Sequence, residues 1–560
     1  MLNFRKKHCF LIVILIGVTF FVYSPSLANQ FLWDDEIQIV GNTIIHNLKN
    51  LPLLFTGGIV FTPGQSLSGG FYRPILTLSY MLLYAISSEP FIFRLFQVAT
   101  HVLNTLFIYL ILYQLLIKKY QEHIASQTAF FASLIFGVHP AISEGALFIA
   151  GLGEPLFTLF CLISFWFFIN AYKTSNLIIS SLFLLLALLT KETAVVLIAI
   201  FIIYLWLFNS LRKSYKCLIS PLIVFFTYLI LRFIFIKGAL SGLKFPAPIA
   251  QASLTIRLLN IPYEICHYLM LSIFPYRLSI SQHQVVTSIL DIRFWGSAII
   301  IISLTIGIFL ILRKTKSKLI VFFILWFLLG LLPVLNIFPL SATVAERWLY
   351  FPLIGLLGGL SIVLRKTSIL KIFLMFYLLV LSGRTVIRSF DWQTGLKLYA
   401  HDLKVNQTSF ELQNNYGVEL IRIGETDRAE EYFKKSIELN PNWWTHYNNL
   451  GVVMERKGNL EKAKEYYQKS IETGNYYLAY ENLGQIYLKT KDYQTANEFL
   501  NKIIPFFPTS VNLHRLYAIS LYQSGKPQEA LREIRIALSL EPSQQNYQLF
   551  QKITNQEKLQ

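Results

Sequence analysis

Eleven apolar stretches punctuate the first 390 residues, near 9–28, 91–117, 128–149, 155–172, 177–190, 193–208, 217–236, 289–312, 319–337, 348–364 and 370–387. Crossing the hydrocarbon of a bilayer takes roughly 20 such residues, so each is a candidate span. The stretch at 128–149 carries His139-Pro140 and Glu144, and the one at 177–190 is short. Beyond residue 400 the pattern changes. Apolar positions recur there at helical spacing between charged ones, and no run is long enough to cross a membrane. The expected fold is all-α, a polytopic membrane helix bundle followed by a helical array. The expected domains are a membrane part over 1–390, a linker over 391–409, repeats over 410–544 and a C-terminal tail over 545–560.

The array has a period. Gly417, Gly451 and Gly484 recur at steps of 34 and 33, and Ala429, Ala463, Ala496 and Ala530 at steps of 34, 33 and 34. Pro441, Pro508 and Pro542 close their units, with Asn475 in the place of the second proline. A helix–turn–helix of 34 residues with small residues at the crossing is the tetratricopeptide pattern. Four units follow, at 410–443, 444–476, 477–510 and 511–544. Arrays of this kind stack into an α-solenoid with an extended binding surface. Asn415, Tyr447, Asn449 and Asn482, with Asn414, Asn448 and Tyr480, are candidates for a surface that holds a polypeptide acceptor or a partner protein. Ordinary helix-surface polarity and aromatic packing are the plain alternative.

Charge divides the chain in the same place. Residues 400–560 hold 19 basic and 19 acidic groups, so the net +18 comes from the 30 basic and 12 acidic groups of residues 1–399. Sixteen of those basic residues, Arg5, Lys6, Lys7, Lys118, Lys119, Lys173, Arg212, Lys213, Lys216, Arg313, Lys314, Lys316, Lys318, Arg365, Lys366 and Lys371, fall on one side of the eleven-span topology. Positive residues mark the cytoplasmic side. The N-terminus is then cytoplasmic. The first loop, the 237–288 loop and the repeats face the periplasm of a bacterial inner membrane or the lumen of the endoplasmic reticulum. The excess charge is thus an orientation signal rather than a nucleic-acid signature. Residues 1–28 also have the form of a signal peptide, with Ser26-Leu27-Ala28 as a cleavage site; an uncleaved anchor is favoured. A content of 54% hydrophobic and 14% charged residues excludes a purely soluble or disordered protein. The four cysteines, Cys9, Cys161, Cys217 and Cys266, form no CxxC pair and support neither a zinc site nor a disulfide framework.

The scarce acidic residues point to chemistry. Asp34, Asp35 and Glu36 are adjacent just beyond the first span. A carboxylate at that level suits a general base or a metal ligand, or simply a solvated helix end. Arg73, His101, His139, Glu144, Glu154, Lys191, Glu192, Glu346 and Arg347 lie near the outer ends of spans. Ionisable groups beside a bilayer are costly and default to functional hypotheses. An arginine there offers a fork for phosphate.

"FLWDDEIQIVGN", "FYRPILTLSY", "HPAISEGALFIAG", "AERWLYFPLIGL" and the central "LLNIPYEICHYLMLSIFPYRLSIS", followed by tetratricopeptide repeats, resemble the transmembrane and tetratricopeptide repeat-containing family of protein O-mannosyltransferase-like proteins, within the GT-C membrane glycosyltransferase superfamily. Arg94 and Gln97 stand where family members often have His and Asn, with His101 retained. Gly151-Leu152-Gly153-Glu154 replaces a common Gly-Arg-acidic sequence. The resemblance implies a GT-C type bundle and a glycosyltransferase. The enzyme would take mannose or a similar hexose from a polyprenyl-phosphate donor and place it on an acceptor hydroxyl, on protein, at the outer or lumenal face. Asp34-Asp35 would be catalytic. Arg73, His101, His139, Glu144, Lys191, Glu346 and Arg347 would bind donor phosphate and substrate. A single displacement inverts the anomeric centre. A divalent metal is compatible with the acidic pair, and no nucleic-acid partner is implied. The competing reading is a catalytically inactive membrane anchor for a repeat scaffold. A transporter is weaker, because neither an inverted repeat nor a broken-helix pair in corresponding halves is visible.

Overall fold

The computed structural model describes residues 2–59, 61, 67, 69–171, 174–209, 214–236, 245–364, 368–474 and 476–557. Lys173, Arg212, Lys213, Arg365 and Lys366 of the orientation signal, and Asn475 of the repeat pattern, lie outside the described residues. Among the described residues helices dominate and no strand forms; one isolated antiparallel bridge joins Gln282 to Val344. The chain divides into two units, residues 1–59 with 69–406 and residues 60–68 with 407–560.

In the first unit every one of the eleven apolar stretches is helical. Six are long and apolar enough to cross a membrane, at His8–Ala28, Pro90–Ile117, Ile149–Ile169, Tyr215–Phe235, Ile292–Thr315 and Phe373–Asp391. The stretch containing His139-Pro140 is a pair, Glu122–Gly137 and Pro140–Leu147, bent by 54° at the break. The remaining four are the shorter helices Thr174–Thr190, Glu192–Phe208, Lys318–Val334 and Pro352–Val363. A further apolar helix, Pro74–Ile86, was not among the expected spans. Its 13 residues rise about 20 Å, short of the roughly 30 Å of hydrocarbon.

The bundle core is aromatic. Phe168 stacks on Phe201 at 3.9 Å, Phe165 meets Trp326 edge-on at 5.3 Å, and Trp326 stacks on Phe351 at 5.3 Å. These rings tie Gly153–Ile169, Val196–Phe208 and Lys318–Leu331 together. The region expected as a linker contains the helix Gly395–Val405, which belongs to the first unit. Its buried Asp402 takes two bonds from Arg388 at 2.6 and 3.1 Å and one from the backbone N–H of Ile280 at 2.9 Å. Asn406 of the sequon Asn406-Gln407-Thr408 is buried and donates to the Ser281 carbonyl at 2.9 Å.

The second unit is the repeat array. Its helix pairs are Phe410–Arg422 with Thr426–Leu439, Trp444–Arg456 with Leu460–Gly474, Tyr477–Lys489 with Tyr493–Ile503, and Val511–Gln523 with Pro527–Leu540. Ala429, Ala463, Ala496 and Ala530 are all fully buried. A Cβ on Gly417 would meet the Phe433 ring at 2.7 Å, and one on Gly451 the Tyr467 ring at 2.6 Å. The glycines are therefore what lets an aromatic ring of the second helix lie against the first. The C-terminal tail is a last helix, Gln544–Thr554, whose Leu549 and Ile553 cover the fourth pair.

Candidate active site

The site begins with a broken helix. Pro140 has no N–H to donate and disfavours a helical residue before it, so the helix from Glu122 stops at Gly137. The chain then runs through short turns, Pro140–Ile142, Ser143–Leu147 and Ile149–Leu152, before the helix Gly153–Ile169. Residues 138–149 are buried throughout. Irregular backbone at membrane depth survives only where protein satisfies its polar groups.

One face of Pro90–Ile117 does so, with polar side chains at i, i+3, i+7 and i+10. Arg94 donates to the carbonyls of Asn29 at 2.9 Å and Leu147 at 2.5 Å, and to Gln30. Gln97 donates to those of Gly145 and Phe148 at 2.7 and 2.6 Å. His101 contacts the Tyr350 hydroxyl at 2.6 Å and the Gly137 carbonyl at 3.0 Å. Asn104 donates to Pro155 and to the same hydroxyl at 2.8 and 3.1 Å. His139 receives the Ala141 N–H at 3.2 Å on one ring nitrogen and meets the Ser272 carbonyl at 3.0 Å with the other. His139 thus holds backbone with both ring nitrogens, and His101 holds backbone with one and the Tyr350 hydroxyl with the other.

The acidic pair is split by burial. Asp35 is fully buried and accepts the N–H of Leu32 at 3.0 Å and of Ala150 at 2.7 Å. It staples the first loop to the broken segment. Burial pushes its carboxyl up to about 7, against the opposing pull of Arg94 and of the two N–H groups. Asp34 is half-buried. Trp33, just before it, has φ +56° and stacks on Phe148 at 5.1 Å. The charge of Asp34 acts on Arg347 and on the buried Tyr80, whose hydroxyl donates to the Ile149 carbonyl at 3.1 Å.

Three ion pairs form at helix breaks nearby. Arg73 grips Glu192 with both arms of its fork, at 2.9 and 2.5 Å. Lys191 pairs with Glu154. Arg347 pairs with Glu144 through its guanidinium and through its own N–H at 2.8 Å. Glu154 also acts on Arg73 and Arg347, so the pairs share one field. A narrow cavity with room for about one water opens beside Lys191, bounded by Glu154, Phe157, Thr193, Trp348 and Phe351. The Thr193 hydroxyl is buried there with no hydrogen-bond partner among the described residues.

Glu346 lies in a different network. It is fully buried and accepts the Ser279 N–H, while burial pushes its carboxyl up to about 8 against the nearby Arg388. Of the repeat candidates, Asn415, Asn449 and Asn482 join one hydrogen-bonded row. Tyr447 is buried and donates to Pro441 at 3.1 Å. Among the described residues no group of three or more His, Cys, Asp or Glu is arranged to hold a metal ion. Sequence reasoning missed Tyr80, Asn104, Thr193 and Tyr350. The i, i+3, i+7, i+10 row in Pro90–Ile117 was a readable signal for Asn104; the others sit singly in apolar contexts.

A tetratricopeptide repeat model matches residues 410–442, 447–473 and 477–504. Among curated proteins, a protein O-mannosyl-transferase of Caenorhabditis elegans, F38B6.6, is 26% identical over 451 residues, covering 77% of this chain and 63% of that one. Human protein O-mannosyl-transferase TMTC3 is 26% identical over 488 residues, covering 79% and 52%. Human TMTC4 is 24% identical over 484 residues, covering 74% and 64%. The chain thus spans about half to under two thirds of the length of the curated relatives it matches. Solved structures with similarity include YrrB, a tetratricopeptide repeat protein with an unusual peptide-binding site, at 18% identity and TM-score 0.26 over 29% of this chain and 84% of that one. A MamA protein is 24% identical with TM-score 0.24, over 27% and 84%. Over about three quarters of its length the chain is similar to animal protein O-mannosyl-transferases, and its tail carries tetratricopeptide repeats.

Proposed function

We propose that the protein transfers mannose or a similar hexose from a polyprenyl-phosphate donor to a hydroxyl of a polypeptide at the outer or lumenal membrane surface. The observation that carries this reading is the division of the acidic pair. Asp35 is consumed as a buried staple, whereas Asp34 stays half-exposed within the field of Arg347. The names of the relatives support the reaction class. The sidedness follows from the charge bias of the loops.

Asp34 is the general base. It takes the proton of the acceptor hydroxyl while that oxygen bonds to the anomeric carbon. The bond from that carbon to the phosphate oxygen breaks, and polyprenyl phosphate leaves with the electron pair. The developing phosphate charge is met by Lys191, with Arg347 contributing from its place on Glu144 through the field the pairs share. The phosphate of the donor approaches the Lys191 side of the cluster, with the Thr193 hydroxyl as a further donor. One displacement inverts the anomeric centre. Arg73, His101, His139, Glu144 and Glu346 act as positioning residues. The repeats hold the polypeptide acceptor.

The test is transfer from radiolabelled polyprenyl-phosphate mannose to a serine- and threonine-containing peptide by purified protein in nanodiscs. A positioned general base contributes about 10²–10⁴-fold, so Asp34→Asn is expected to lose activity on that scale. Full activity in Asp34→Asn overturns the assignment, and absence of transfer by the unmodified protein favours the scaffold reading.

A further inference from the structure

A group of buried oxygens without partners lies between the helix Leu254–Ile273 and the segment 336–345. Glu264, Asn336 and Thr343 are all fully buried. The Asn336 side-chain amide donates to Glu264 Oε1 at 3.0 Å and to the Thr343 carbonyl at 2.9 Å. Both partners are acceptors, so the nitrogen of the amide faces them and its oxygen does not. Asn336 holds a left-handed turn at φ +48°, a conformation that asparagine tolerates. What remains is Oε2 of Glu264, Oδ1 of Asn336 and the hydroxyl of Thr343. Each is buried with no hydrogen-bond partner among the described residues. The three belong to groups already joined through one amide nitrogen, so they lie close together.

Neither protonation state of Glu264 is satisfied by the protein alone. As the anion it has one side-chain N–H for compensation and no ion pair among the described residues, and a buried charge so placed is costly. As the acid it leaves Oε2 with nothing to bond. Burial pushes the carboxyl up to about 8. A water among the three oxygens would bond them but leave the anion uncompensated. All three free atoms are oxygens with lone pairs to give, the ligand type that hard cations take. The charge count selects the valence. One carboxylate balances one positive charge, and a divalent ion would leave a buried surplus.

We infer that Glu264, Asn336 and Thr343 bind a monovalent cation of the sodium class, through a carboxylate oxygen, an amide oxygen and a hydroxyl. The ion joins groups that already hold one segment in place. The Thr343 N–H donates to the Gln282 carbonyl at 3.1 Å. Two residues on, the Ala345 N–H donates to the Tyr268 hydroxyl at 3.3 Å. Tyr268 lies about one helical turn beyond Glu264 on the same helix. Ala345 leads directly into the turn Glu346–Leu349, which carries Arg347. The cation thus pins the segment 336–345 to the helix Leu254–Ile273 at both ends, and with it the approach to Arg347. It shares no ligand with the cluster of Asp34, Lys191 and Arg347, and the inference does not depend on the proposed transfer.

The test uses the full chain in nanodiscs at pH 8.5, where the Glu264 carboxyl is free to ionise. Sodium chloride replaces N-methylglucamine chloride at constant ionic strength, and melting temperature and equilibrium binding of radioactive sodium are read together. A ligand that binds only the folded state raises its stability with concentration, so the melting temperature is expected to climb with sodium as one ion per chain is taken up. Glu264→Gln keeps an acceptor for the Asn336 amide but loses the charge, and is expected to weaken sodium binding at least about tenfold. Thr343→Val keeps the volume without the hydroxyl and is expected to weaken it less. Failure of the unmodified chain to bind sodium or to gain stability from it overturns the proposal whether or not a variant folds, and leaves a trapped water as the occupant. Equal sodium binding by Glu264→Gln does so as well. A gain in stability with calcium or magnesium but not with sodium overturns the assignment to a monovalent ion.

Discussion

Asp35 offers the sharpest physical test of how the site is built. Its carboxyl is fully buried and its pKa is pushed up to about 7, against about 3.9 in an unfolded chain. Three orders of magnitude in proton affinity correspond to about 4 kcal/mol. The sign follows from which state holds the proton. Below about pH 4 both states are protonated and the full contribution is present. As pH rises toward 7 the unfolded chain has released the proton while the folded one keeps it, so stability falls. Above about pH 7 both are ionised and the curve is level. Asp35→Asn cannot ionise, so its stability is expected to stay flat over that window relative to the unmodified protein. At low pH it is the less stable of the two, because its NH₂ must face one of the N–H groups of Leu32 and Ala150, at a cost of about 1–3 kcal/mol. The gap is expected to close as pH rises. The assay is apparent melting temperature in nanodiscs from pH 4.5 to 8 for both proteins. Parallel curves across the window would falsify the view that a buried Asp35 carboxyl links the first loop to the broken helix.

Gly451→Val places carbon where the Tyr467 ring already lies at 2.6 Å from a Cβ and is expected to destabilise the array by about 1–3 kcal/mol, read as a lower melting temperature. Lys491 holds a left-handed turn at φ +60°, in register with Gly424, Gly458 and Gly525. Lys491→Gly is therefore expected to raise stability by up to about 1 kcal/mol, and a fall on denaturant titration would refute the strain argument. Gln97→Leu strands the carbonyls of Gly145 and Phe148, at about 1–3 kcal/mol for each buried group left without a donor. It should lower thermal stability while Gln97→Glu, which retains the shape but not the donors, does no better.

The repeat array was legible because its signal is periodic and local. Glycine and alanine at fixed steps mark helix crossings, and the rings of Phe433 and Tyr467 occupy the space those glycines leave. The apolar stretches were legible as helices for the same reason, since length and hydropathy decide them. The candidate site was legible only in part. Sequence placed Asp34 and Asp35 together as equals, and nothing local distinguishes them. What separates them is the N–H of Ala150, more than a hundred residues away. Arg94 and Gln97 read as departures in a substrate-binding pattern, yet they hold carbonyls freed where Pro140 breaks a helix. His101 and His139 read as site residues on the strength of ionisability beside a bilayer; in the structure His101 meets the Tyr350 hydroxyl and the Gly137 carbonyl, and His139 meets backbone groups of Ala141 and Ser272. The linker drawn at 391–409 was polar in composition, but the buried pair Arg388–Asp402 gives its helix a place in the first unit.

The ion pairs bear on which cation would meet the phosphate of the proposed donor. Arg73, Lys191 and Arg347 are each matched by a carboxylate, so the cluster carries no surplus positive charge to attract an anion from a distance. Attraction must come from exchange, in which a phosphate oxygen takes the place of a carboxylate oxygen on one cation. The three are unequal in this respect. Arg73 is held by a bidentate fork, where a second bond adds strength and fixes direction. Arg347 is held by its side chain and by its own backbone N–H on the same carboxylate. Lys191 makes a single contact to Glu154, from a compact ammonium with three donors, and it alone of the three borders the cavity. Exchange therefore costs least at Lys191. Its ammonium can turn toward a phosphate while Glu154 remains in the field of Arg73 and Arg347. On the proposed reading the two arginines hold Glu192 and Glu144 in place, and the donor phosphate is met on the Lys191 side of the cluster.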